Sequence, residues 1–319
     1  MKAPTMFRPD DIVIEAFIDH LQNEYWQTFP VGPSEHCYAI TRTARVALGQ
    51  IARSNALYHD LSHTVFVTQI GQNMLQGRIL RSLDVSSSDW MHFIVSTLCF
   101  AVGFVRDVCL GDDGKGKCAI NAEGGFVTMP RGATDGWLWP YFTDRSKLFV
   151  AHHFRNDPVV DMHTIVAYIE YSRFPPLPDR NRETDTYPGL LRAAHLIGSI
   201  ADPDFDIKTK SLVLEIVDSG MTKLLGYSDI AAFRAEFQDL FWLSMYPLVA
   251  EGLKLLDLTG EGRELVAHLH AHLLIEDNVS PPYLPWVDLT YPQCWCSSCC
   301  KSSAQRCRNS DILAQSLPC

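Results

Sequence analysis

The sequence lacks any run of the roughly 18–20 apolar residues that a bilayer-crossing helix needs, so no membrane span is expected. It also lacks an excess of positive charge. Its 27 lysines and arginines face 37 aspartates and glutamates, a formal net charge of -10. A surface of that sign repels phosphodiester backbones, which argues against nucleic acid as a partner. No apolar run follows Lys2 in "MKAPTMFRPDD", so no signal peptide is expected and the expected compartment is the cytoplasm. Period-two runs bounded by hairpin turns are scarce, which argues against a sheet protein. Cysteine is thin through most of the chain, with only Cys37, Cys99, Cys109 and Cys118 before a final cluster. That density fits a reducing compartment.

What is present is a globular composition, 47% hydrophobic and 20% charged over 319 residues, enough to bury a sizeable core. Apolar residues recur at helical spacing. Ile14, Phe17, Ile18 and Leu21 form one stripe, with Asp10 or Asp11 able to cap it, and Ala44, Leu48 and Ile51 form a second. A third helix is expected from about His59 through Ile70 to Leu75. Ser86 and Asp89 have capping-box spacing before "WMHFIVSTLCFAVGFV", expected as one very apolar helix. Asp157-Pro158 reads as the start of a helix reaching Tyr171. Further helices are expected over 188–201, 210–219, 229–243, 246–257 and 261–276, with loops at 107–133 and 174–187. The expectation is a single all-α domain over 1–280 and a disordered, Cys-rich tail over 281–319. That tail holds Cys294, Cys296, Cys299, Cys300, Cys307 and Cys319, without the paired CxxC spacing of a zinc site.

Several motifs invite chemistry. "GDDGKGKC", Gly111 to Cys118, nearly fits a phosphate-cradling loop, but a cysteine replaces the metal-binding hydroxyl and no strand precedes it. A solvated loop is the expectation. "HLHAH" places His268 and His272 on one helical face with Glu264 and Glu276, beside the buried line of Leu265, Leu269 and Leu273. The expectation is a partly exposed polar face. "YHDLSH", Tyr58 to His63, puts His59 and His63 four residues apart, one turn on a helix.

Followed by Thr64-Val65, "YHDLSH" resembles the opening motif of the HD-domain superfamily of metal-dependent phosphohydrolases and phosphodiesterases. The resemblance continues through "DWMHFIVSTLC", "GFVRDVC", "TDGWLWPYFTDRSKLFV", "IEYSRFP", "LLRAAHLIGSIADP", "LGYSDI" and "TGEGRELVAHLHAHLL", roughly residues 35 to 277. It implies an all-α, phosphodiesterase-like helical bundle. It also implies a metal site built from a first-motif histidine, an adjacent His-Asp pair and a later aspartate. Carried over, His63 matches the metal ligand and His59 the proton donor. The other positions depart from the pattern: Phe100-Ala101 stands where the His-Asp pair belongs, Phe142 replaces a further histidine, and His195 replaces the late aspartate.

Hard dications such as Mg²⁺ require oxygen ligands and negative charge, so losing both aspartates removes the basis of a dinuclear centre. Two readings follow. In one, the chain is non-catalytic or repurposed, binding a small ligand or partner. In the other, His59, His63 and His195 converge on one softer divalent metal, zinc or iron, in a mononuclear phosphohydrolase. Arg106, Arg145 and Arg173 are candidates for holding a phosphorylated or anionic small molecule. Alternatively they pair with Asp107, Asp144 or Glu170 as structural ion pairs.

Overall fold

The first turn of the chain's opening helix, α1 (Pro9–Thr28), starts on a proline whose missing N–H costs nothing there. Asp10 and Asp11 lie inside that turn, favourable against the helix dipole, rather than at the cap, which is Arg8. In this computed structural model the described residues are 8–81, 84–175, 183–222, 233 and 237–274. The expected tail over 281–319, the "LGYSDI" motif and most of the helix expected over 229–243 lie outside them.

The described residues are all-α, with ten α-helices and very little strand. After α1 come α2 (Ser34–Ile51), α3 (Leu61–Leu80), α4 (Ser87–Cys99), α5 (Phe142–His153) and α6 (Met162–Glu170). Then follow α7 (Tyr187–Gly198), α8 (Phe205–Asp218), α9 (Tyr246–Leu256) and α10 (Gly260–Leu274), with π-helical turns at Phe241–Met245 before α9. The described residues up to Leu273 form one compact unit. Within it α3 packs against α4, α7 and α9, while α2 packs against α1 and α4. Among the described residues no helix is long and apolar enough to cross a membrane.

Four local expectations need correction, each for an identifiable reason. First, α3 begins at Leu61, because the Asp60 side chain caps it by accepting from the His63 N–H at 2.8 Å. His59 therefore precedes the helix, and the two histidines are not successive turns of one face. Second, the capping box of Ser86 and Asp89 forms as expected, but α4 stops at Cys99 instead of running on to Val105. The chain turns through Phe100 and Ala101 into a 3₁₀ turn, Val102–Phe104. There α5 presses so close that a Cβ on Gly103 would stand 1.9 Å from the Phe142 carbonyl. The Ser146 hydroxyl ties the turn down, donating to the Phe100 carbonyl at 2.6 Å and accepting from the Gly103 N–H at 2.8 Å.

Third, Asp157 does not start α6. Its carboxylate accepts from the Val159 and Val160 N–H groups and pairs with Arg42, closing a turn, and Asp161 supplies the actual cap. Fourth, the loop over 107–133 carries one short antiparallel hairpin, β1 (Lys117–Ala119) with β2 (Phe126–Thr128), Cys118 opposite Val127. In the "GDDGKGKC" segment the Asp113 carboxylate accepts from the Lys115 and Lys117 N–H groups, and Asp112 accepts from those of Cys109 and Ala119. The loop's own carboxylates thus occupy the backbone donors that a phosphate would need.

Candidate metal centre

Three histidines from distant parts of the chain meet in the interior. His59 comes from the segment before α3, His63 from the first turn of α3, and His195 from α7. One ring nitrogen from each lies within 4.8 Å of the others, and all three side chains are buried. Among the described residues this is the only cluster of three or more metal-ligating side chains that meets so closely. A tetrahedral ion with bonds of about 2.0–2.1 Å would hold its ligands about 3.3–3.4 Å apart, so the rings would have to draw in by up to about 1.4 Å.

His63 decides how the cluster is read. Neither of its ring nitrogens has a hydrogen-bond partner, although the residue is fully buried. A neutral imidazole carries one donor and one acceptor, and leaving such a buried group unpaired costs about 1–3 kcal/mol. Burial, then the neighbouring His59 and His195, push the His63 pKa well below the ordinary imidazole value. Burial and His59 likewise push His195 down to about 3. Both rings are therefore neutral near pH 7, with a lone pair free for a metal.

His59 is oriented by a residue that the sequence did not single out. Glu215, fully buried on α8, accepts from the His59 Nδ1 at 2.5 Å. The other carboxylate oxygen accepts from the backbone N–H groups of Tyr58 at 2.8 Å and His59 at 3.3 Å. With Nδ1 donating to a carboxylate, Nε2 keeps its lone pair for the cluster, the usual arrangement behind metal-bound histidine. Gly136 makes room for this: a Cβ there would lie 2.3 Å from the Glu215 Cγ.

The walls are aromatic. Phe104 stacks on His59 with centroids 4.1 Å apart, and Trp139 meets the same ring edge-on at 4.9 Å. Phe100 lies 4.9 Å from the His195 ring and 6.4 Å from His63. Phe142 stacks on Phe104 at 4.6 Å and faces His59 at 6.3 Å. Phe100, Ala101 and Phe142 are all buried, and none offers a metal-binding atom. The break in α4 is what delivers Phe104 to its place over His59. On the open side, His59 and His195 border a cavity of about 70 Å³, whose other lining includes Leu196, Ile200, Phe233 and Met245 and, among the described residues, no lysine or arginine.

A family model, the Npun_R2479-like family, matches residues 7–278. The chain belongs to this family. No curated protein and no solved structure matches the chain. Within this family member, the three arginines singled out in the sequence are engaged by the protein itself. Arg145 is fully buried, and its five donors reach the carbonyls of Gly103, Val105 and Ala119 and both oxygens of Asp112. Arg106 pairs with Asp135 and donates to Asn55 and the Ala133 carbonyl. Arg173 bridges Asp144 and Glu170, as one of the two sequence readings had it. In the "HLHAH" segment His268 is exposed, while His272 turns inward, its Nδ1 2.6 Å from the Ile200 carbonyl and its ring stacked on Phe205.

Proposed function

We propose that this chain is a degenerate relative of the HD-domain phosphohydrolases that holds one divalent transition metal, zinc or iron, between His59, His63 and His195. In this reading the dinuclear reaction is lost and the site is repurposed to bind a small, uncharged ligand. The observation that carries the proposal is His63, buried with two unpaired ring nitrogens beside two other imidazoles. Three neutral nitrogens suit a borderline-soft ion and not a hard dication. Such an ion, when bound, supplies a Lewis-acidic position open to water or ligand.

The chain's own residues set the rest. Glu215 fixes the His59 tautomer and places a buried carboxyl group against the triad, which favours His59 as a ligand over its expected role as proton donor. Phe104 and Phe142 exclude water from one side of the His59 ring, while Trp139 forms part of the cavity wall. A cavity of about 70 Å³ with no lysine or arginine among its described lining residues suits a ligand of a few heavy atoms better than a phosphoester. The second reading, a mononuclear phosphohydrolase, is favoured by the same triad, since three histidines and an open position also make a hydrolytic zinc site.

Elemental analysis of full-length protein purified without chelator separates these readings when it is followed by assays with p-nitrophenyl phosphate and cyclic nucleotides. The expected result is one zinc or iron per chain, absent in His63→Ala, with no turnover above free metal. Metal-dependent turnover abolished by His63→Ala would replace the binding role with hydrolysis. A wild-type protein that stays metal-free after supplementation with both ions would end both readings.

A further inference from the structure

A second site lies away from the histidines, where α3 carries an unusual stripe. Gln69, Gln72, Asn73 and Gln76 occur at i, i+3, i+4 and i+7, four carboxamides on one helical face. A helix packed on several sides, as α3 is, ordinarily spends such a stripe on apolar contacts. This one lines a half-open cleft of about 400 Å³ together with His20 and Glu24 of α1 and with Glu261 in the first turn of α10. That volume falls in the range of small-molecule sites, about 300–1,000 Å³.

The polar atoms of the cleft are only partly used. Gln72 is 3% exposed, and its Nε2 has no hydrogen-bond partner. The Gln72 Oε1 lies 3.3 Å from the His20 Nε2, and the other end of the same amide is left without a partner. Gln76 donates to the Glu24 Oε2 at 3.4 Å, and Asn73 to the Glu261 Oε2 at 3.2 Å. Each glutamate accepts through one oxygen in these bonds and has a second to offer. Among the described residues no lysine, arginine, phenylalanine, tyrosine or tryptophan lines the cleft.

We propose that this cleft is a binding site for a small hydroxylated organic cation, an amino alcohol or amino sugar. Two carboxylates with no lysine or arginine among the described lining residues call for a positively charged donor. The buried Gln72 amide calls for a ligand oxygen to accept from it. The absence of an aromatic platform disfavours a neutral sugar, whose apolar face would have nothing to stack on.

Glucosamine, glucose and gluconate are matched probes in shape and differ in charge. Isothermal calorimetry with the full chain, at a pH where the amine is protonated, is expected to show glucosamine binding at least about tenfold tighter than glucose, with gluconate not binding. The Glu24→Gln/Glu261→Gln double variant, at surface positions and with an unchanged melting temperature, is expected to lose at least about tenfold in glucosamine affinity. Gln72→Leu is expected to weaken glucosamine and leave the residual preference over glucose intact. Equal binding of glucosamine and glucose, no binding of either, or full glucosamine affinity in the double variant would each overturn the proposal.

Discussion

Arg145 and His63 are both fully buried polar residues in one helical core, and the fold treats them in opposite ways. Every donor of Arg145 is met, by three carbonyls and by the Asp112 carboxylate, and the guanidinium thereby pins the 105–119 loop to α5. Neither nitrogen of His63 is met. A saturated buried group is explained by the architecture it holds. An unsatisfied one, kept at a cost in stability, points to something outside the chain that completes it. The contrast separates two residues that, as charged or titratable side chains inside family-like motifs, look equally eligible for a site.

The largest expected effect is on the saturated side. Arg145→Met leaves Asp112 buried without its cation and is expected to destabilise the fold by about 3–5 kcal/mol, read as a drop in thermal or denaturant midpoint. Arg145→Lys is expected to be only partly corrective, because a single ammonium cannot reach five acceptors spread around a planar fork. If either variant melted like the wild type, the claim that Arg145 holds the loop would fail. Next in size, Glu215→Gln is expected to weaken metal affinity about 10–100-fold by removing the charge behind His59. Competition with a chelator measures it, and an unchanged affinity would detach Glu215 from the centre.

A smaller effect has the opposite sign. In chelated, metal-free protein, His63→Leu is expected to raise stability by about 1–3 kcal/mol, since it removes the unpaired atoms and keeps the volume filled. A loss of stability there would mean that His63 has a structural partner. The metal-free protein should also respond gradually to acid. His63 and His195 are held neutral in the fold and protonate freely once unfolded, so unfolding takes up protons. Their contribution is complete above the unfolded imidazole value of about 6.5 and is lost as pH falls toward about 3. Midpoints measured across that window in the double variant His63→Leu/His195→Leu should be flatter than in the wild type.

The helices were legible in the sequence wherever one apolar stripe dominates, as with Ile14, Phe17, Ile18 and Leu21, all buried in α1. Boundaries were less legible where two signals compete. Asp157-Pro158 reads as a helix start, yet Asp157 closes a turn and pairs with Arg42, and Asp161 caps α6 instead. The apolar run from Trp90 gave no warning that α4 stops at Cys99, because the stop is enforced from outside by Ser146 and by the close approach of α5. His59 and His63 stood out as a spaced pair, but His195 joined them only by comparison with a family motif, as an isolated histidine has no periodicity of its own. Glu215 was missed because its partner is 156 residues away. Its one local trace is a lone carboxylate between Leu214 and Ile216, in a helix apolar on both sides of it.

The most direct test of the metal centre is X-ray absorption at the zinc or iron edge of the full chain, loaded with one equivalent of that metal. The expected spectrum has imidazole scatterers at about 2.0–2.1 Å, no sulfur and no second metal, and it is lost in His63→Ala. Sulfur ligands at about 2.3 Å that persist in His63→Ala would place the metal on the terminal cysteines and contradict a site built from His59, His63 and His195.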